Sequence, residues 1–106
     1  MIIKNTYAIS GTWKPSTAEQ AKQLAGSCEV SAVKLAAGGG SAVVALYNGN
    51  KAGDAIPANL QWFLDASTTD VDAQIFPNPL RFEKGVYAVC EQGWDFNPVV
   101  CIARIS

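Results

Sequence analysis

The chain has 106 residues, of which 49% fall in the set AVILMFWYC and only 16% are charged, against about 25% charged residues in an average soluble protein. That length suits one domain and that composition argues against disorder, while eight Lys plus Arg against nine Asp plus Glu provide no basic field for nucleic acid or anionic lipid. The absence of His removes the commonest general base and the commonest transition-metal ligand, and the longest apolar stretches, 42–47 and 99–103, fall far short of the ~20 residues that cross a bilayer.

Met1 to Asn5 lack the basic start, apolar core and small-residue cleavage site of a secretory signal, so synthesis in a cytoplasm is the expectation. Residues 2–9 read as a first strand, closed by Ser10-Gly11. Residues 16–26 carry the only helical signal: Ser16 and Glu19 stand at capping-box spacing, good helix formers follow, and Gly26 sits where a C-cap glycine would. A short helix is predicted there, with a polar extended arm as the competing reading, because the stripe Ala18, Ala21, Leu24, Ala25 buries little area.

From Cys28 the pattern is β. Residues 28–36 and 41–48 are predicted to form a hairpin across Ala37-Gly38-Gly39-Gly40, whose glycines tolerate a tight reversal. The second arm is apolar at both parities, whereas a half-exposed antiparallel strand alternates. It therefore lies in a covered sheet, or its outer face, with Val43, Ala45 and Tyr47, meets another chain. After the loop 48–54, residues 60–66 alternate, with Leu60, Trp62, Leu64 and Ala66 on one side and Gln61, Phe63 and Asp65 on the other. Phe63 is thus a ring on a polar face. Pro77 and Pro79 cannot both donate to a ladder, which puts 73–79 at an edge, a bulge or a corner. Residues 86–90 and 98–105 are predicted to make a second hairpin, with Trp94 and Phe96 around Asp95 at its tip, either as a lid on the sandwich or as a contact surface.

Cys28, Cys90 and Cys101 are an odd number without C-x-x-C spacing, so free, mostly buried thiols are expected, a Cys90–Cys101 bridge across the last hairpin being the alternative. Asp54, Asp65, Asp70, Asp72 and Asp95 fall at turns and strand ends, where Asp is ordinary. No calcium-type loop surrounds Asp70 and Asp72, and Gly38-Gly39-Gly40 lacks the helix start that a phosphate cradle uses. No catalytic residue, metal or cofactor is assigned.

The recurrence of short strands between turn residues predicts an all-β antiparallel β-sandwich of seven to eight strands with at most one short helix. It spans 1–106 as one domain, with 1–27 an N-terminal strand and arm or short helix and 28–106 the sandwich core. The block 28–49, an apolar strand, a glycine-rich turn and a strand ending in Leu46-Tyr47-Asn48-Gly49, resembles small virion proteins of tailed bacteriophages, as does the block 76–89, with Phe76-Pro77-Asn78-Pro79 before Gly85-Val86-Tyr87. The resemblance implies a jelly-roll-like sandwich without enzymatic activity, made in the host cytoplasm and mounted on the virion, as a capsid decoration (cement) protein or part of a fibre. Its implied partners are further copies of itself, as a trimer or other symmetric oligomer, and the major capsid protein. Low charge, two-sided apolar strands and exposed rings accord with a surface covered by partners. The contact candidates are Phe63, Trp94, Phe96, Val43, Ala45 and Tyr47. The alternative function is a receptor- or glycan-binding module of a fibre or tail, using Trp94 with Gln92, Asp95 and Asn97.

Overall fold

A computed structural model describes residues 9–67 and 70–105. Alternation of inward apolar residues with turn-rich breaks yields eight strands: β1 Ile9–Trp13, β2 Ala21–Ala25, β3 Cys28–Ala36, β4 Ala42–Asn48, β5 Leu60–Ala66, β6 Val71–Phe82, β7 Val86–Gln92 and β8 Val99–Ile105. They form two four-stranded antiparallel sheets, ordered β1-β8-β3-β6 and β2-β7-β4-β5. Each strand pairs with its counterpart counted from the other end of the chain, β1 with β8, β2 with β7, β3 with β6 and β4 with β5. The fold is therefore one long hairpin with its tip between β4 and β5, rolled up and closed by the β3–β8 and β4–β7 ladders. This is a jelly roll, the all-β sandwich expected from the sequence. Val30 and Leu35 of β3, Val44 and Leu46 of β4, Leu64, Phe82, Val86 and Val100 are fully buried between the sheets.

The segment 16–26 is a turn and a strand rather than a helix. Ser16 and Glu19 make the local bond their spacing suggests, the Glu19 N–H donating to Ser16 Oγ at 3.2 Å, but the chain then leaves the turn extended. As a helix, its stripe of alanines would bury little. As β2 it covers the edge of β7 and seats Ala25 in the core. The Glu19 carboxylate accepts the indole N–H of buried Trp13 at 2.9 Å, so the turn is anchored to a core side chain. The first strand likewise runs on through Ser10-Gly11 to Trp13, and residues 2–8 of its predicted span lie outside the described residues.

Neither predicted hairpin forms. β3 and β4 lie in different sheets, as do β7 and β8. Each is instead a central strand with two other neighbours, β3 between β8 and β6 and β4 between β7 and β5. None of Gly38, Gly39 and Gly40 has a positive φ. Instead the 94–96 turn packs against their backbone, so that a Cβ on Gly38 would collide with the Phe96 carbonyl oxygen and one on Gly40 with the Phe96 ring. Positive φ occurs at Gly85 and Gly93, at the two ends of β7. Cys28, Cys90 and Cys101 are free thiols, Cys90 and Cys101 lying on strands of opposite sheets.

The proline segment belongs to an edge strand and bulges: Val30 faces Leu80 while Ala32 faces Ile75, so residues 76–79 loop out of the ladder. A bulge at Gln61 also breaks the alternation of β5, for Leu46 faces Trp62 and Tyr47 faces Leu60. Leu60 is consequently 43% exposed rather than buried with Trp62 and Leu64.

The edges of the two sheets are stitched together where β5 meets β6. The Asp65 N–H donates to Asp72 Oδ2 at 2.9 Å and Gln61 Nε2 donates to the Arg81 carbonyl at 2.7 Å. Between them Trp62 and Phe76 meet edge to face at 4.8 Å. Side chains thereby occupy backbone groups that would otherwise offer a pairing edge.

Candidate interaction surface

The tip β4–β5 connection is organised by one buried acid. Asp54 accepts the Asn50 N–H at 3.0 Å, its carbonyl accepts Asn59 Nδ2 at 2.9 Å, and Lys84 Nζ stands 3.8 Å from Oδ1. The Asn50 bond, then the charges of Lys84 and Lys51, hold the carboxyl below the ordinary range despite its burial. This carboxylate is fully engaged in holding a loop. Among the described residues no group of three or more His, Cys, Asp or Glu side chains is arranged to hold a metal ion. Burial pushes the Cys28 and Cys90 thiols up, away from the thiolate.

What the two sheets do carry is apolar outer surface. On β4, Val44 and Leu46 point into the core while Val43, Ala45 and Tyr47 take the opposite parity. Ala45 is only 1% exposed yet lies outside the core cluster. It is covered from the outside, between its register partners Phe63 on β5 and Val89 on β7. The row continues to Ala21 on β2, and a parallel row joins Leu60, Tyr47 and Tyr87. At one end, Val43 is flanked by Asp65 across β5 and by the bulged Glu91 on β7. Burial and, after it, the Glu91 charge push the Tyr47 phenol up.

Four of the six predicted contact residues, Val43, Ala45, Tyr47 and Phe63, thus share one sheet face, and Phe63, 49% exposed, is its most prominent ring. The other two lie elsewhere. Trp94 packs half-buried against the core, as a lid would, and Phe96 covers the Gly38–Gly40 connection while remaining 46% exposed.

The outer face of the other sheet was not singled out in the sequence. Its rows are Thr12, Cys101, Lys34, Ala73 and, one step along, Ala103, Ala32, Ile75. Because these side chains are small, they leave an open groove of about 340 Å³ beside Ile75, which is 76% exposed. The signal was present: Val99, Cys101, Ala103 and Ile105 make β8 apolar at both parities, the property that drew attention to β4.

Comparison with protein-family models, with curated proteins and with solved structures found no match.

Proposed function

We propose that this protein is a non-enzymatic structural protein that self-associates, of the type that decorates the capsid of a tailed bacteriophage and stabilises its lattice. The observation that carries the self-association is the outer face of β2-β7-β4-β5, where Ala45 is buried between Phe63 and Val89 and tyrosines fill the next row. An antiparallel sheet with a free outer face alternates apolar with polar, and a face built like a second core is suited to another protein surface. The β5 and β6 edges are stitched to each other, so at that side the faces are the surfaces available. Placement on the virion rests on the resemblance of residues 28–49 and 76–89 to small phage virion proteins. The glycan-binding alternative is favoured by no specific observation, Trp94 being half-buried against the core.

Analytical ultracentrifugation of the purified protein tests the first part. The wild type is expected to sediment as an oligomer, and Phe63→Glu, which sets a carboxylate in place of the face's most exposed ring, to sediment as a folded monomer. A wild type that stays monomeric at high micromolar concentration rejects self-association. Mass spectrometry of purified particles from an infected culture tests the second part, and absence of the chain from them rejects the virion placement.

A further inference from the structure

Resting on that self-association, we propose that the contact is head to tail: the outer face of β2-β7-β4-β5 of one copy seats on the outer face of β1-β8-β3-β6 of the next. Phe63 enters the groove and Asp65 and Glu91 meet Lys34.

The two faces complement each other in shape. One carries the projecting Phe63 ring beside Tyr47 and Tyr87, while the other is paved with Ala32, Ala73, Ala103 and Thr12 around its groove. Two copies of the first face would set ring against ring, whereas on the second the groove beside the projecting Ile75 offers a ring a place to enter. They also complement each other in charge. Asp65 and Glu91 are the charged residues flanking the apolar rows of the first face, and both are negative. Lys34 is the charge in the middle of the second, where Glu29 and Arg81 oppose one another at the far end of the ladder. None of Lys34, Asp65 and Glu91 forms an ion pair among the described residues. Pairing a face with itself would leave these charges without opposite partners, whereas the mixed pairing satisfies both sets.

The spacing agrees. Asp65 stands two residues beyond Phe63 on β5, and Lys34 two residues beyond Ala32 on β3, both steps being ~7 Å along a strand. A ring lying in the groove next to Ala32 therefore brings Asp65 over the Lys34 row. The broad face of the molecule measures 46 by 30 Å, room enough for the ~800 Å² per partner of a standard interface.

A heterologous contact uses two different faces of each copy, closing into a ring or running on as an open stack, so each face can be blocked separately, and this supplies the test. Phe63→Glu blocks the first face. Lys34→Glu combined with Ala73→Glu blocks the second at two exposed positions, and circular dichroism and thermal melting establish that both variants fold. Each variant alone is expected to be monomeric, with self-affinity at least tenfold below the wild type, and an equimolar mixture to give a heterodimer and nothing larger. An associating wild type whose Lys34→Glu/Ala73→Glu variant still assembles normally would overturn the head-to-tail contact while leaving self-association standing, and so would a mixture that stays monomeric. A monomeric wild type removes both. Should Phe63→Glu fail to fold, Phe63→Ser takes its place. As an independent arm, Asp65→Lys with Glu91→Lys is expected to weaken association at least tenfold and to regain it when mixed with Lys34→Glu; no regain counts against the charge pairing.

Discussion

At the residue scale, three neighbouring glycines separate two reasons for having glycine. Gly38 is required because the Phe96 and Asn97 backbone occupies the space of a Cβ, whereas Gly39 has nothing within 4 Å and no positive φ. Gly38→Ala forces rigid main chain apart and is expected to cost about 1–3 kcal/mol, the usual penalty of overpacking, seen as a fall in Tm of roughly 4 °C or more per kcal/mol for a domain of this size. Gly39→Ala restricts only the unfolded chain and is expected to leave Tm unchanged or raise it slightly. Equal melting temperatures for the two variants would contradict the packing account. The thiols divide in a similar way. Cys28 and Cys90 are buried with raised pKa, while Cys101 is partly open at the groove. Alkylation of the native protein near pH 8, read by intact mass, should therefore modify one site first, and peptide mapping should find it at Cys101.

At the scale of elements, the loop joining β4 to β5 depends on the ionised Asp54. Its carboxyl is held below the ordinary value, chiefly by the Asn50 N–H and next by Lys84 and Lys51. A depressed carboxyl contributes stability that is present above the unfolded pKa of about 3.9 and is lost as the pH falls through the lower folded value. Asp54→Asn is expected to lower Tm at pH 6 and to flatten the loss of Tm between pH 4 and pH 2; parallel Tm–pH curves for the variant and wild type would reject this role. The same loop shows what a sequence can and cannot convey. The strands were legible because apolar periodicity is written locally: 28–36 and 60–66 coincide with β3 and β5. Partner choice was not, because it is settled by residues far away. The Gly38–Gly40 run looks like a hairpin turn until Phe96 is known to lie against it, and the stretch after Ser16 and Glu19 looks like a helix until β7 is known to pair with it. For the candidate surface, two-sided apolarity exposed the β4 face at once. The Lys34 groove escaped notice because its residues are small, and only the register brings Ala32, Ala73 and Ala103 into one hollow.

For the whole molecule, the nested pairing sets the order in which the chain can fold. β4 and β5 are joined by the 49–59 connection at the tip, the smallest loop closed by any pair of hydrogen-bonded strands, β3 and β6 enclose them, and β1 and β8 bring Ile9 beside Arg104. Loop closure is least costly at the tip and most costly at the ends, and a topology dominated by such distant pairings folds in milliseconds to seconds. The β4–β5 region is thus the natural nucleus, with the β1–β8 ladder added late. Leu64, fully buried on β5, and Ile102, 2% exposed on β8, probe the two stages. Leu64→Ala is expected to destabilise by about 2–5 kcal/mol and Ile102→Val by about 0.5–1.5 kcal/mol. In stopped-flow chevrons the first should act mainly by slowing folding and the second mainly by speeding unfolding, both measured at a concentration where the protein is monomeric, since assembly adds its own stability by mass action. If Ile102→Val instead slows folding while Leu64→Ala leaves the folding arm unchanged, the roll closes from its ends and the tip is not where order begins.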